Sequence, residues 1–464
     1  MSQAQIIDQL KAVVGADRVL TDADSLATFG KDWTKIFAPK PLAITFPNST
    51  QQVAALVKLA NELDFAIVPS GGRTGLSAGA VAAHGEVVVS MDRMNTLSDF
   101  NLTDRTVHCG AGVITEQLQN FATEQGLYYP VDFASAGSSQ IGGNIGTNAG
   151  GIKVIKYGMT RDWVAGLTVV TGKGDILELN KDLVKNNTGY DLRQLFIGGE
   201  GTLGIVTEAT MRLTRAPKNL NVLVLGVPDM SAIMSVLHAY QGKMDLSAFE
   251  FFSHKAMTKV VARGDVAAPF ATEADFYALI EFEAISDADM DCAMALFEHC
   301  MEQGWVLDGV ISQSETQAKN LWRLREDISE TIAEWTPYKN DISVVVSKVP
   351  PFLAEIDKVV TQAYPDFEII WFGHIGDGNL HLNILKPDDL AKEDFFEKCG
   401  QVSTWVFEIV EKYQGSVSAE HGVGMTKKPY LQYTRSETEI AYMRAMKAVF
   451  DPNNIMNPGK IIDA

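Results

Sequence analysis

The chain has 464 residues, which is long enough for two or three domains. Of these residues 46% are hydrophobic and 21% are charged, a composition typical of a globular protein. Its formal net charge of −19 opposes binding to nucleic acid or to an anionic membrane surface, so an anionic substrate needs locally placed cations. The N-terminal residues lack the pattern of a signal peptide, and no apolar run reaches the length of a membrane-spanning segment. With four scattered cysteines, these features predict a cytoplasmic protein.

The N-terminal half reads as a mixture of strand–helix–strand and hairpin elements. Apolar residues at helical spacing predict a first helix over Gln3–Val14. A second helix is predicted over Thr50–Leu63, with Ser49 or Thr50 as its N-cap. Alternating and β-branched runs predict strands over 42–46, 66–69, 86–90, 106–109, 166–170 and 176–179.

The glycine-rich pattern stops near residue 216, and strands there begin to alternate with longer helices. Strands are predicted over 220–227, 276–283 and 342–346, and helices over 230–240, 288–303 and 351–363. A last helix is predicted over 437–450, before a turn-rich tail. Strands interleaved with long helices are typical of an α+β domain.

Three glycine-rich loops stand out in the N-terminal half, at 69–75, 137–151 and 198–204. Loops without bulky side chains bring backbone N–H groups close to an anion such as pyrophosphate. Three of them in one half indicate a single extended cofactor with two phosphates. Tight turns alone are the alternative, because glycine is frequent in turns.

The third loop contains the pattern G-x-G-x-x-G at 199–204. A dinucleotide fingerprint of this kind must open a helix. Residues 205–213, which follow, are rich in β-branched residues and read as a strand. A nicotinamide-binding Rossmann site is therefore rejected.

Three histidines lie within one C-terminal stretch. His374 and His381 flank a Gly-Asp-Gly-Asn turn between two apolar strands, and His381 shares a strand face with Asn383. His421 directly follows Glu420. Two imidazoles and a carboxylate form a ligand set for a catalytic divalent metal. Hydrogen-bonded turn histidines are the alternative.

Candidate cations precede this stretch. Arg325 and Ser329 are four residues apart in a predicted helix and so share one face, and Lys339 follows shortly after. These residues are candidates to bind an anionic substrate. The alternative is a solvated, charged helix.

These motifs in this order, with the Asn-Pro-Gly-Lys tail at 457–460, resemble the FAD-dependent D-2-hydroxyacid dehydrogenases of the vanillyl-alcohol-oxidase type over essentially residues 35–460. The resemblance implies an α+β protein with a two-subdomain FAD-binding domain and a C-terminal α+β substrate or cap domain. The expected divisions are an N-terminal helical segment (1–35), the FAD-binding domain (36–216), the substrate and metal domain (217–445) and a tail returning to the FAD site (446–464).

The resemblance also implies roles for individual residues. His421 would be the catalytic base, and His374, His381 and Glu420 would bind the metal, most commonly Zn²⁺. The substrate would be held by Arg325, Ser329, Lys339, Asn383 and His421, with Ser329 standing where threonine is expected. The residues expected to contact FAD are Pro69, Ser70, Gly71, Gly72, Arg73, Thr74, Gly75, Asp132, Gly137, Ser138, Gly142, Gly143, Asn144, Thr147, Asn148, Gly150, Gly151, Tyr157, Gly158, Glu200, Gly201, Gly204, Ile205, Val206 and Asn457.

The implied activity is oxidation of a D-2-hydroxy acid to the 2-oxo acid, through proton abstraction and hydride transfer to flavin N5. D-2-hydroxyglutarate is the expected substrate, with D-malate as a second. D-lactate or glycolate oxidation, or a non-redox flavin transferase on the same scaffold, are the alternatives. Arg73 stands where some relatives attach FAD through histidine, so non-covalent FAD is expected. Expected partners are an electron-transfer flavoprotein and a second copy in a homodimer.

Overall fold

The structure is a computed structural model that describes residues 2–34 and 36–463. The α-helices in this part of the chain are α1 (Gln3–Val14), α2 (Ala23–Phe29), α3 (Thr50–Leu63), α4 (Thr115–Glu124), α5 (Ile141–Thr147), α6 (Val154–Tyr157), α7 (Thr160–Trp163), α8 (Arg193–Phe196), α9 (Met230–Gln241), α10 (His254–Ala262), α11 (Asp287–Glu302), α12 (Glu315–Glu326), α13 (Ile328–Thr331), α14 (Val349–Ala363), α15 (Lys392–Lys412) and α16 (Glu437–Phe450).

The strands of the same described residues follow in chain order. They are β1 (Val19–Leu20), β2 (Ala43–Thr45), β3 (Ile67–Ser70), β4 (Val87–Ser90), β5 (Leu97–Asn101), β6 (Thr106–Gly110), β7 (Leu127–Tyr128), β8 (Val164–Thr171), β9 (Ile176–Leu179), β10 (Gly204–Arg212), β11 (Thr214–Arg215), β12 (Leu220–Val227), β13 (Leu246–Ser253), β14 (Phe276–Glu283), β15 (Asp308–Ile311), β16 (Tyr338–Ser343), β17 (Ile369–Gly373) and β18 (Asn379–Ile384).

Side-chain caps fix where the first helices begin. The Ser2 hydroxyl accepts from the Gln5 N–H while the Gln5 side chain reaches back to the Ser2 N–H, a capping box that starts α1. The Ser49 hydroxyl caps α3 by accepting from the Gln52 N–H. Both helices have the bounds predicted from the sequence.

The chain divides into two compact units. Unit 1 comprises Met1–Gly150, Met159–Ala216 and Glu420–Ala464, and unit 2 comprises Gly151–Gly158 and Pro217–Ala419. These units are defined by packing alone. The functional domain boundaries stated above remain a prediction.

Unit 1 contains a small mixed sheet and a larger antiparallel sheet. In the first, β2, β4 and β3 run parallel, and β1 pairs antiparallel with β2. In the second, the antiparallel strand order is β5-β6-β10-β8-β9. The buried faces of both sheets and of α1 and α3 form an apolar core that also takes in Ile455 and Met456. The first glycine-rich loop follows β3 and the third precedes β10, so the sheets position these two loops.

Unit 2 is built on one antiparallel sheet with the strand order β15-β12-β14-β13-β17-β18-β16. One face of this sheet packs its apolar residues with α10, α12 and α13 around Trp322, Leu324, Ile328 and Ile332. The segment 151–158 belongs to this unit because α6 lies beside β13 and Ile152 packs on the same core. Both units mix helices with sheets, which confirms the predicted α+β class.

The structure corrects three local predictions. The middle of the second glycine-rich loop is helical as α5, although Gly142 and Gly143 have low helix propensity. The strand predicted over 342–346 is displaced to β16, because its partner β18 is opposite Tyr338–Ser343. The helix predicted through Ser329 breaks at Asp327, between α12 and α13.

The C-terminal tail is fixed to unit 1 by a buried ion pair. The Lys447 ammonium on α16 donates to Asp451 Oδ2 at 2.8 Å, to the Thr202 carbonyl at 2.9 Å and to the Met456 carbonyl at 3.0 Å. Asp451 also accepts the N–H groups of Ile455 and Met456. The tail therefore leaves α16 in a defined direction, toward β3.

Candidate functional site

The three glycine-rich segments of unit 1 line one cavity that encloses about 930 Å³, part of it open to solvent. Many residues predicted to contact FAD line it, namely Pro69, Ser70, Gly71, Gly72, Arg73, Thr74, Gly75, Gly142, Gly143, Asn144, Thr147, Glu200, Gly201, Gly204, Ile205 and Val206. The sequence interpretation missed Asp32, Ser77, Gln140 and Phe196, which also line the cavity. Gln140 lies within the second glycine-rich loop, whereas Asp32, Ser77 and Phe196 lie outside the glycine-rich motifs, so no local signal marked those three.

Glycine is required where the loops approach one another. A Cβ atom on Gly72 would lie 2.1 Å from the Ser138 carbonyl oxygen. Gly201 has a φ of +72°, and its Cβ would lie 2.4 Å from Pro69 Cγ. The first loop thus packs directly against the second and the third.

Arg73 is held within the first loop. Its Nη1 donates to the Gly71 carbonyl at 2.9 Å and lies 3.2 Å from Asp92 Oδ2. Its guanidinium lies 4.8 Å from the centre of the Phe29 ring. These three contacts fix the Arg73 guanidinium within the first loop.

Other residues predicted to contact FAD lie outside the lining of this cavity. Asp132 accepts from Gln119, and Asn148 accepts from the Arg161 N–H. The Asn457 amide donates to the Gly79 and Glu200 carbonyls, which places it beside the first and third loops. The rest of this group in unit 1 are Gly137, Ser138 and Gly150, and those in unit 2 are Gly151, Tyr157 and Gly158.

Glu200 is the one carboxylate that the third loop contributes to the cavity lining. Its Oε1 accepts the Val423 N–H at 2.6 Å, and its Oε2 accepts the Gly424 N–H at 2.8 Å. Burial raises the pKa of Glu200 to about 7, against the opposing effect of these two backbone N–H groups. The loop leads into strand β10, which confirms the rejection of a Rossmann fingerprint.

Glu420 and His421 open the last segment of unit 1. Both side chains are half-buried, and His421 Nε2 lies 3.6 Å from Glu420 Oε1. Each offers an atom able to ligate a metal. Both residues therefore lie at a partly accessible position of unit 1.

In unit 2, the pairing of β16 with β18 gathers polar side chains on one face of the sheet. Lys339 is opposite Asn383 and Asp341 is opposite His381. Directly paired residues, and residues two apart on a strand, share a face. His381 Nδ1 lies 3.7 Å from Asp341 Oδ1, and both residues are candidate metal ligands. Lys339 is exposed, whereas the other three are buried.

A buried carboxylate on β13, Glu250, extends this face. Glu250 Oε1 lies 2.8 Å from His374 Nδ1, and Oε2 lies 2.9 Å from Arg325 Nε, at an angle outside that of a hydrogen bond. The Arg325 guanidinium also lies 4.7 Å from the centre of the Phe372 ring. Glu250 thus orients both a predicted metal ligand and a predicted substrate-binding cation. We call Glu250, Lys339, Asp341, His381 and Asn383 the polar face.

Glu250 and Asp341 are the functional candidates in unit 2 that the sequence interpretation missed. A single carboxylate among the aromatic residues of β13 is a signal that could have identified Glu250. Asp341 is identified by the strand register, since it accepts from the Asn379 amide at 2.8 Å and faces His381. Ser329 lies half-buried on α13, beyond the break that separates it from Arg325.

Two family models match the chain. The C-terminal domain of FAD-linked oxidases matches residues 216–461, and an FAD-binding domain matches residues 41–180. None of the helices within the described residues has the length and apolar character needed to cross a membrane.

Full-length relatives extend this result. The chain is 70% identical over 464 residues to the D-2-hydroxyglutarate dehydrogenase of Stutzerimonas stutzeri, covering 100% of both proteins. It is 54% identical over 454 residues to the D-2-hydroxyglutarate dehydrogenase of Xanthomonas citri pv. viticola, covering 98% of this chain and 96% of that relative. The solved structure of p-cresol methylhydroxylase with substrate bound matches with a TM-score of 0.77 at 16% identity, over 99% of this chain and 97% of that one, which supports the fold.

The chain belongs to the FAD-linked oxidases and, within them, to the FAD-dependent D-2-hydroxyacid dehydrogenases. Its fold is of the vanillyl-alcohol-oxidase type. It is therefore an FAD-dependent oxidoreductase, as the resemblance predicted, and it is similar in particular to bacterial D-2-hydroxyglutarate dehydrogenases.

Proposed function

We propose that the chain catalyses FAD-dependent oxidation of D-2-hydroxyglutarate, and of D-malate, to the corresponding 2-oxo acid. The observation that carries the proposal is its 70% identity, over the full length of both proteins, to a relative named D-2-hydroxyglutarate dehydrogenase. The chemistry of the polar face and of the glycine-lined cavity supports it.

The cavity of unit 1 is the proposed FAD site. Its glycine-rich lining suits the close approach of a pyrophosphate to backbone N–H groups. Bound FAD would supply the two-electron oxidation by accepting hydride at N5. A guanidinium, unlike an imidazole, does not form a covalent bond to flavin, and the Arg73 guanidinium is held by Gly71 and Asp92. We therefore propose that FAD is held non-covalently.

His374, His381 and Glu420 are the proposed ligands of a divalent metal, with Zn²⁺ the best match to this donor set. Glu250 accepts from His374 Nδ1, so Nε2 is the nitrogen that would ligate, as in carboxylate–histidine–metal arrangements. A bound metal would supply Lewis-acid polarisation of the substrate hydroxyl.

His421 is the proposed general base. Its imidazole would accept the hydroxyl proton of the substrate, a contribution that typically accelerates reactions by about 10²–10⁴-fold. Glu420 Oε1, at 3.6 Å from His421 Nε2, would stabilise the imidazolium that results. The two adjacent residues thus have separate roles, ligand and base.

Arg325, Ser329, Lys339 and Asn383 are proposed to hold the substrate carboxylates. Glu250 and Phe372 fix the Arg325 guanidinium through its Nε and its face, so Nη1 and Nη2 form the fork that suits a carboxylate. Lys339 and Asn383 are paired across β16 and β18. This number of donors suits a dicarboxylate better than a small monocarboxylate.

Comparison of kcat/KM across 2-hydroxy acids tests the substrate. Each charge-assisted hydrogen bond contributes about 1.5–3 kcal/mol, so a monocarboxylate that leaves a donor unpaired should lose about tenfold or more. We expect D-2-hydroxyglutarate to rank above D-malate, and both well above D-lactate. A kcat/KM for D-lactate or glycolate equal to that for D-2-hydroxyglutarate would instead assign the chain to the D-lactate or glycolate dehydrogenases of the family.

We further propose that an electron-transfer flavoprotein reoxidises the enzyme and that the chain forms a homodimer. Both proposals rest on the family. The alternative of a non-redox flavin transferase predicts that a 2-hydroxy acid leaves the flavin oxidised.

A further inference from the structure

The segment 420–426, which carries Glu420 and His421, is attached to the third glycine-rich loop of unit 1 and to the residues that follow the first loop. Glu200 accepts the N–H groups of Val423 and Gly424, as described above. The Ser77 carbonyl, in the continuation of the first loop, accepts the Met425 N–H at 2.9 Å. Backbone groups just after His421 are therefore fixed by the FAD-binding loops.

The backbone of Glu200 is itself held on both sides. Its N–H donates to the Gly146 carbonyl at 2.8 Å, and its carbonyl accepts from the Asn457 amide at 2.7 Å. Its φ of +46° lies in the left-handed region, which is costly for a residue with a side chain. A strained and doubly anchored backbone aims this side chain in one direction.

Two glycines allow the segment to approach this closely. A Cβ atom on Gly422 would lie 2.9 Å from Glu200 Oε1, and one on Gly424 would lie 2.0 Å from the Ser77 carbonyl oxygen. Both residues also have positive φ, of +80° and +49°. The two glycines of the Gly-Val-Gly sequence after His421 thus let its backbone N–H groups approach the Glu200 carboxylate closely.

We propose that Glu200 is a positioning residue that fixes the His421 imidazole by clamping the N–H groups of Val423 and Gly424, two and three residues further along the chain. The proposal rests on the proposed role of His421 as the general base. A carboxylate can accept two N–H groups at once, because it carries acceptors on both oxygens and no donor. A glutamine would turn its NH₂ group toward one of these N–H donors and lose that contact.

Glu200 could act as a contact to FAD or as a clamp on the segment 420–426, and its position in the third loop is compatible with both roles. As an FAD contact, Glu200 would affect how much flavin is bound. As a clamp on the segment that carries the base, it would affect the rate of flavin reduction at full FAD occupancy, because small displacements of a catalytic group are costly.

The test compares Glu200→Gln and Glu200→Asp with Glu208→Gln, a matched control. Glu208 is half-buried on the following strand and contacts Thr50 and His108 rather than the segment 420–426. FAD content per chain is measured first, and then the limiting rate of anaerobic flavin reduction by D-2-hydroxyglutarate.

We expect Glu200→Gln to retain one FAD per chain and to lower the limiting reduction rate by about ten- to a hundredfold. The concentration of D-2-hydroxyglutarate at half-maximal rate should change by less than about threefold, as for an interaction made in the transition state. Glu200→Asp, one methylene shorter, should fall between wild type and Glu200→Gln, and Glu208→Gln should match wild type. A wild-type reduction rate in Glu200→Gln, or loss of FAD with an unchanged rate per bound flavin, would overturn the proposal.

A double mutant connects the effect to His421. If Glu200 acts through His421, Glu200→Gln should slow the His421→Asn enzyme by less than about twofold, because the positioned group is already absent. Additive losses would contradict the clamp.

Amide hydrogen exchange tests the clamp by Glu200 independently of the proposal that His421 is the general base. Whatever the role of His421, Glu200→Gln should speed amide exchange at Val423 and Gly424 by about tenfold, and Glu208→Gln should not. Unchanged exchange overturns the clamp. A normal reduction rate in His421→Asn together with faster exchange in Glu200→Gln would refute the base and leave the clamp standing.

Discussion

Replacing Glu250 with glutamine removes one charge from the centre of the polar face and keeps the shape of the side chain. Glu250 is 1% exposed and contacts His374 Nδ1 at 2.8 Å and Arg325 Nε at 2.9 Å. Two proposed functions, metal binding and substrate binding, therefore depend on this carboxylate, and both should weaken in Glu250→Gln.

The magnitudes follow from the two contacts. Loss of a carboxylate that orients a ligating histidine typically costs about 10–100-fold in metal affinity. Breaking a buried ion pair by removing one partner costs about 3–5 kcal/mol of stability, and Arg325 is 5% exposed, so solvent screens it little. KM for D-2-hydroxyglutarate should rise, because Arg325 loses the contact that orients its fork.

The assay measures metal affinity by competition with a chelator, KM with D-2-hydroxyglutarate, and unfolding in urea. Glu283→Gln is the matched control, because Glu283 is equally buried on the neighbouring strand, pairs with Lys156 and accepts the Lys218 N–H. The control should lose stability and retain metal affinity and KM. Wild-type metal affinity and KM in Glu250→Gln would refute the proposed role of Glu250.

Three further outcomes are expected. Lys447→Met should lower the free energy of unfolding by about 3–5 kcal/mol, because it leaves Asp451 buried and unpaired. Lys412→Met, at the exposed pair with Glu355, should lower it far less, and equal losses in urea titrations would contradict this. The pKa of the Glu200 carboxyl is raised from 4.5 to about 7, so the native state binds its proton more tightly than the unfolded state does. The free energy of unfolding of the wild type should therefore fall as pH rises from about 4.5 through about 7, and Glu200→Gln should flatten that dependence. Equally steep pH profiles for the two proteins would contradict the raised pKa. Acid precipitation should release all FAD into the supernatant, and flavin in the pellet would contradict the argument from Arg73.

Much of the fold could be predicted where local sequence decides the structure. The bounds of α1, α3, β12, β14 and α16 agree with prediction because caps and hydrophobic periodicity are local signals. Prediction failed where distant residues decide. The valines after Ser343 fit a strand, but their neighbour β18 begins at Asn379, opposite Ser343, so the ladder stops there.

The candidate site shows the same division. His374, His381, Asn383 and Arg325 were identified from residue type and spacing, and the structure places them on or beside one sheet. Glu250 is a site candidate because it contacts His374, which is 124 positions away in the sequence. Glu200 was identified as part of a glycine motif, yet its carboxylate contacts Val423, 223 positions away. Partners at such separations follow from the fold.

Anaerobic reduction of the flavin tests the central claim most directly. The purified enzyme, with FAD bound, is mixed with D-2-hydroxyglutarate or with its L-enantiomer in the absence of oxygen and of any electron carrier. The proposal predicts that the D-enantiomer bleaches the visible flavin absorbance and forms one equivalent of the 2-oxo acid per flavin, and that the L-enantiomer does neither. A flavin that stays oxidised with the D-enantiomer, or that both enantiomers bleach at equal rates, would contradict the assignment.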